Sequence, residues 1–231
     1  MEFENLAAGE LLSWAMEKFA NEFAIATSFQ KEGMVIVDLA CGSGGKCRVF
    51  TLDTGRLPDE THQMMEAVRV RYGISVEMVA PVPEEVEAMV SAHGQDLFYG
   101  STDLRALCCE VRKVRPFQRK LAELKAWASG LRRGQSQTRA GVRKVEEVDG
   151  RMRISPLADW TSEQVDRYIR DRDVPLHPLY LRGYTSIGCA PCTRAVAAGE
   201  DERAGRWWWE QEASKECGIH FAANGTVERN A

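Results

Sequence analysis

An open α/β sheet of mainly parallel strands flanked by helices is the fold class this sequence predicts, and three observations carry that expectation. Between residues 23 and 93, short apolar runs that suit strands alternate with longer stretches of helical periodicity, the pattern that builds parallel sheets. Each strand candidate ends in a polar turn that leads into the next helix, as right-handed crossover connections require. No internal repeat, coiled coil or low-complexity linker interrupts the pattern.

The elements follow in order. Residues 6–20 place Leu6, Leu11, Leu12, Ala15, Met16 and Phe19 at helical spacing, which predicts an amphipathic helix. Residues 23–28 read as a strand, 29–33 as a turn and 34–41 as a buried helix. A loop at the carboxyl end of a parallel strand, opening a helix, offers backbone N–H groups to a phosphate or sulfate, although most such turns bind nothing. The unit repeats with a strand at 48–52, a polar turn at 53–56 and a helix over 58–72 that Pro58 opens. A third strand is expected at 75–79 and a helix at 83–93, and the turns around Ser28 and Asp53 are expected on one rim. From Cys108 a helix should run towards Leu124, kinked near Pro116, with Lys113 one turn beyond Cys109 on the same face. Residues 124–129 suit another strand, and 130–139 (GLRRGQSQTR) a loop whose three arginines grip anions. A hairpin is expected about Asp149-Gly150, then a helix capped by Thr161 that ends before Pro175.

Composition narrows the function classes. A chain of 231 residues with 44% hydrophobic content supports a sizeable core. Net charge is -4, yet residues 110–144 carry eleven Lys and Arg against two acidic residues, a balance that suits a small anion held locally and no nucleic acid. No apolar stretch approaches the roughly 20 residues needed to cross a membrane. The N-terminal MEFENLAAGE is acidic and has no basic region ahead of an apolar run. A cytoplasmic protein is therefore expected, where paired cysteines bind metal or do redox work more often than they form structural disulfides.

The densest chemistry lies in residues 183–209: Cys189 and Cys192 as a Cys-x-x-Cys pair, Arg194, Arg203 and Arg206, and the triplet Trp207, Trp208, Trp209. Cys108 and Cys109 are adjacent, and Cys217 stands alone in ECGIH. The first four thiols could hold one metal centre, leaving Cys217 for chemistry. Zinc usually takes two separate Cys-x-x-Cys knuckles, and an adjacent pair is awkward for it; iron-sulfur clusters also take four cysteines. The residues alone leave both open. Cys41 and Cys47 read as ordinary residues, one in an apolar helix and the other just before a strand, and His62 and His93 as surface positions on helices. At least one of the three tryptophans is expected to pack in a core, and the triplet to anchor a polar, mobile tail from about residue 213.

Leu52-Asp53-Thr54-Gly55, Cys108-Cys109 with Arg112-Lys113-Val114, Gly130-Leu131-Arg132-Arg133 with Gln135-Ser136 and Thr138-Arg139, Pro156-Leu157-Ala158-Asp159-Trp160, the 183–209 stretch and Glu216-Cys217-Gly218-Ile219-His220 together carry a resemblance. In these motifs the chain resembles the assimilatory adenylyl-sulfate reductases, relatives of the phosphoadenylyl-sulfate reductases. The resemblance implies an adenine nucleotide α-hydrolase-like fold, with a nucleotide-binding and iron-sulfur reductase domain over 1–206 and a mobile tail over 207–231 that carries the catalytic cysteine. It implies reduction of adenosine 5'-phosphosulfate to sulfite and AMP through an S-sulfonate on Cys217. It further implies a 4Fe-4S cluster on Cys108, Cys109, Cys189 and Cys192, and substrate contacts from Ser28, Lys113, Arg139, Arg203 and Arg206. Thioredoxin or a similar dithiol protein would finish the cycle. The four cluster cysteines favour the unphosphorylated nucleotide; a phosphoadenylyl-sulfate reductase or a dual-specificity enzyme is the alternative. No segment specifies an oligomeric state, and a homo-oligomer is compatible with the sequence. Two departures stand out: the nucleotide loop Ser28-Phe29-Gln30-Lys31-Glu32-Gly33 has fewer small residues than in many relatives, and His177 replaces an asparagine. A non-catalytic iron-sulfur sensor would leave ECGIH unexplained, and an ATP pyrophosphatase of the same fold would need a fuller Ser-Gly-Gly loop.

Overall fold

Helix α1 (Ala8–Phe19) forms because Ala8, Leu11, Leu12 and Ala15 recur on one face, and all four are buried. Strand β1 (Phe23–Ala26) follows, buried at its first three residues. The computed structural model describes residues 2–42 and 47–210, so Cys217 and most of the expected tail lie outside the described residues.

Helix α2 (Lys31–Gly42) begins three residues earlier than its apolar run suggests. The cause is local. Thr27 Oγ1 accepts the Phe29 N–H at 2.9 Å, Phe29 takes a φ of 57°, and this reversal lets the Met34 N–H reach Gln30 O at 3.0 Å. A Cβ on Gly33 would lie 2.4 Å from Thr27 Oγ1, so only glycine lets the first turn of α2 sit this close to the end of β1.

The chain continues through β2 (Val49–Leu52), α3 (Asp59–Tyr72), β3 (Val76–Val79) and α4 (Pro83–His93). Next come α5 (Thr102–Cys109), a π segment (Glu110–Val114) and α6 (Arg115–Leu121). Here the structure corrects the sequence reading. The helix starts at Thr102, capped by Ser101, whose hydroxyl accepts the Leu104 N–H, and the irregularity precedes Pro116. The Arg115 N–H reaches back five residues to Glu110 O, a widened turn that accommodates the proline ring without breaking the helix. Because that turn holds more residues than an α turn, Lys113 does not sit squarely above Cys109 as the i, i+4 rule predicts.

Strand β4 (Ala126–Ala128) and the hairpin β5 (Val145–Val148) to β6 (Arg151–Ile154) complete the sheet. Asp149 and Gly150 take φ of 50° and 73°, the primed turn that an Asp-Gly pair favours. Helix α7 (Ser162–Arg172) is capped at Thr161, whose hydroxyl accepts the Gln164 N–H. The six strands run in the order β3-β2-β1-β4-β6-β5. Strand β1 is parallel to β2 and to β4, β4 is parallel to β6, and β5 pairs antiparallel with β6. The order reverses at β1, so the carboxyl ends of β1 and β4 flank a topological switch point, where open α/β sheets bind ligands. The expected fold class is the observed one.

Two compact units are distinguished. The first comprises the described parts of Met1–Thr51, Thr61–Glu77 and Leu121–His177. Its core joins Leu11, Leu12 and Ala15 of α1, Met34, Val35, Ile36 and Val37 of α2, and strand residues Ile25, Val49, Ala126 and Ile154. The second comprises Leu52–Glu60, Met78–Lys120 and the described residues from Pro178 onward, around a smaller core of Met89, Leu97, Phe98, Cys108, Val111, Cys192 and Trp207. No described helix is long and apolar enough to cross a membrane.

Candidate active site

In the first unit, the loops after β1 and β4 are fastened to each other. A Cβ on Gly130 would stand 2.7 Å from Glu32 Cβ, so glycine at 130 is what permits the close approach. The Glu32 carboxylate accepts Arg132 Nε at 2.9 Å and Gln135 Nε2 at 3.1 Å. Arg132 is buried and also donates to Trp160 O and Ser162 Oγ, while Arg133 reaches Val142 O and Glu4. Two of the three arginines expected to grip an anion therefore hold the loop together instead. Arg139 is half-buried, and its Nη1 donates to Gln135 Oε1. Ser28 is exposed at the end of β1, and its hydroxyl accepts Gln30 Nε2 at 2.9 Å. At the end of β4, Ser129 Oγ is buried with no hydrogen-bond partner among the described residues, a vacant polar position beside the switch point.

In the second unit, Cys108, Cys189 and Cys192 pack together from separate segments of the chain. The turn Ala190–Cys192 sets Cys189 and Cys192 on one side, with the Thr193 hydroxyl donating to Cys189 O and accepting the Gly188 N–H. Cys108 lies at the end of α5 and packs in the same apolar group as Cys192 and Cys189. Burial pushes the Cys192 thiol up to about 12, with Cys189 adding to the rise and Arg206 opposing it. Burial raises Cys108 as well, while Arg112 pulls against it and Cys189 adds to it. Left as free thiols, these groups would be neutral; binding as thiolates requires compensating positive charge.

That charge is present. Thr54 Oγ1 lies 3.2 Å from Cys189 Sγ. Arg112 favours the charged form of Cys108 and donates Nη1 to Thr54 O at 2.8 Å. Arg105 is stabilised in its charged form by Cys109 and forms a 2.5 Å ion pair with Glu210, both side chains buried. Lys113 and Arg206 both favour the charged form of Cys192. The guanidinium groups of Arg105 and Arg206 lie 4.6 and 4.7 Å from the Trp207 ring. Trp207 is buried and Trp208 is 40% exposed, so the triplet contributes one core anchor at least, as expected.

The sequence-named residues thus fall into two groups. Ser28 and Arg139 are in the first unit; Lys113, Arg203, Arg206 and the four cysteines are in the second. Arg203 is half-buried, with its backbone N–H on Asp201 Oδ1. Sequence reading did not single out Arg56, Arg105 or Arg112 as site residues. The adjacent motif Cys108-Cys109-Glu110-Val111-Arg112 could have pointed to Arg112, and Thr54-Gly55-Arg56 to the other side of the pocket, but nothing local marks Arg105.

Residues 22–195 match the family model of the phosphoadenosine phosphosulfate reductase domain. The adenosine 5'-phosphosulfate reductase of Allochromatium vinosum is 47% identical over 216 residues, 93% of this chain and 84% of that one. Among solved structures, the phosphoadenylyl-sulfate reductase of Candida auris in its phosphate complex superposes with a TM-score of 0.68 at 29% identity, over 81% of this chain and 90% of that one. The FMN adenylyltransferase of Candida glabrata, at a TM-score of 0.56 and 16% identity over 81% and 61% of the two chains, shares the fold.

Proposed function

Because the chain belongs to the phosphoadenosine phosphosulfate reductase family and is an oxidoreductase, we propose that it reduces adenosine 5'-phosphosulfate to sulfite and AMP in sulfate assimilation. The observation that carries this reading is the gathering of Cys108, Cys189 and Cys192 among Thr54, Arg112 and Arg206.

The pocket fits an iron-sulfur cluster by the chemistry of its donors. Arg112 Nε, Arg206 Nε and Trp207 Nε1 are buried N–H groups with no hydrogen-bond partner among the described residues. Buried donors need acceptors, and cluster sulfur supplies them. In this reading Cys108, Cys109, Cys189 and Cys192 hold a 4Fe-4S cluster, which when bound supplies charge and sulfur acceptors beside the substrate while thiols supply the electrons.

The reaction then belongs to Cys217, Ser28, Lys113, Arg139, Arg203 and Arg206. The basic side chains and the Ser28 region hold the phosphosulfate, neutralising the charge that would repel an incoming anion. Arginine forks match the tetrahedral oxyanions. Cys217 attacks as a thiolate, and its sequence neighbours Lys215 and His220 favour ionisation below the usual value of about 8.5. A sulfur–sulfur bond forms, the sulfur–oxygen bond breaks, and AMP leaves with the electron pair. A thiolate of thioredoxin or a similar dithiol protein then attacks the Cys217 sulfur and sulfite departs with the bonding pair. The partner's second thiol closes its disulfide and returns Cys217 reduced. Such a cycle suits the reducing cytoplasm.

Incubation with sulfur-labelled adenosine 5'-phosphosulfate in the absence of reductant tests the reading. Label should appear on the Cys217 peptide and be released as sulfite by a dithiol protein, and Cys217→Ser should lose the label while keeping the visible absorbance of the cluster. Sulfite production that survives Cys217→Ser would sink the proposal. Since a relative of known structure is a phosphoadenylyl-sulfate reductase, turnover is compared with and without a 3'-phosphate; the proposal expects the unphosphorylated nucleotide to be preferred.

A further inference from the structure

Gln135 is bonded at every position its amide offers. Its Oε1 accepts the Arg132 backbone N–H at 3.1 Å and Nη1 of Arg139. Its Nε2 donates to Glu32 Oε1 and to Gly130 O, each at 3.1 Å. A primary amide has two donor hydrogens and two acceptor lone pairs, so all four are used. The orientation is decided as well. A flipped amide would set its NH2 against two donors, the Arg132 N–H and the Arg139 guanidinium, and its oxygen against a carboxylate and a carbonyl. Glu32, paired with buried Arg132 at 2.8 Å, is itself held in place, and it belongs to the loop after β1.

From this saturated geometry we infer that Gln135 is a positioning residue: it takes its orientation from Glu32 and Gly130 and presents its oxygen to Arg139, fixing the guanidinium for the oxyanion of the substrate. The inference rests on the reading of Arg139 as a substrate contact. It adds that the two loops at the switch point are joined by a side chain that never touches substrate. Arginine loses much freedom on binding, so holding it beforehand lowers what substrate must pay to order it.

Two variants separate positioning from scaffolding. Gln135→Met keeps the length of the side chain and removes all four hydrogen bonds. Gln135→Glu keeps an acceptor for Arg132 and Arg139 but replaces the two donor ties with a carboxylate oxygen facing Glu32 Oε1 and Gly130 O, so what orients the acceptor is lost. Steady-state kinetics of adenosine 5'-phosphosulfate reduction are measured for both, alone and combined with Arg139→Ala, with melting temperature and cluster absorbance followed in parallel. Gln135→Met should lower kcat/KM by about tenfold or more, since small misplacements of an orienting group are costly, and Gln135→Glu, without the ties to Glu32 and Gly130, should lower it as well although its oxygen can still meet Arg139. In the Arg139→Ala background, Gln135→Met should change kcat/KM by less than about twofold, the mark of two residues acting as one unit. A Glu variant with the parent kcat/KM, or full additivity with Arg139→Ala, would overturn the positioning role and leave the Arg139 reading standing. Undiminished turnover in Arg139→Ala alone would instead overturn that reading and the relay with it.

Discussion

Glu4 shows how one side chain ties distant sequence together. Its carboxylate accepts the Lys144 backbone N–H at 2.8 Å and an Arg133 nitrogen at 2.6 Å. Burial alone would raise its pKa, but these contacts outweigh burial and hold Glu4 below the usual 4.5. A carboxylate depressed in the folded state contributes stability above its unfolded pKa and loses it as pH falls through the folded value. Glu4→Gln should therefore lower the melting temperature at pH 7, and the difference from the parent should shrink as pH falls through the depressed folded value. Its side chain is 40% exposed, so solvent screening limits the effect to about 1 kcal/mol or less; thermal melts across the pH range check it. Individual residues were the least legible level of the sequence. Cys108, Cys109, Cys189 and Cys192 announce themselves by spacing. Arg105 lies in an ordinary helical stretch, and its contacts with Cys109 and Glu210 exist only once the chain has folded.

Elements were read more faithfully, because periodicity and turn chemistry are local. The expected helix over 83–93 is the observed α4, and the Asp149-Gly150 turn gives the expected hairpin. The misreadings share a cause: interactions outside the segment moved the boundary. Helix α2 gains a turn because Phe29 reverses the chain against Thr27, and the stretch around Cys109 widens into a π turn ahead of Pro116. Helix α7 provides a clean test of a local signal. Thr161 Oγ1 accepts the Gln164 N–H at 3.2 Å and Gln164 Oε1 accepts the Thr161 N–H at 2.8 Å, a reciprocal cap. Thr161→Ala should cost about 1 kcal/mol, a shift of roughly 2–4 °C in melting temperature for a chain of this size, without altering turnover. Calorimetry and the reductase assay read the two separately.

Across the whole molecule, the two units differ in what stabilises them. The first has a broad apolar core that draws on α1, α2 and five strands. The second has a small core in which Cys108 and Cys192 are themselves members, surrounded by buried arginines. Under the proposed cluster assignment, stripping iron should therefore act unequally. In protein from which iron has been chelated, amide hydrogens of residues 102–114 and 187–207 should exchange at least about tenfold faster than in the loaded form, a loss of about 1.4 kcal/mol in local opening free energy, while β1 and β4 stay protected. Mass-spectrometric hydrogen exchange measures both at once, and uniform loosening of the chain would contradict the assignment. The sheet was legible because strands and helices alternate; of the cations around the cysteines, Lys113 and Arg206 were named from the sequence, while Arg105 and Arg112 were not, because only topology brings them beside the thiols. The two cysteine pairs stand about eighty residues apart in the sequence. At the 5–20 residues per second of protein synthesis, the first pair leaves the ribosome roughly 4–16 s before the second exists. For that interval Cys108 and Cys109 have no opposite wall, and under the proposed cluster assignment iron delivery must either wait for the later pair or shield the earlier one.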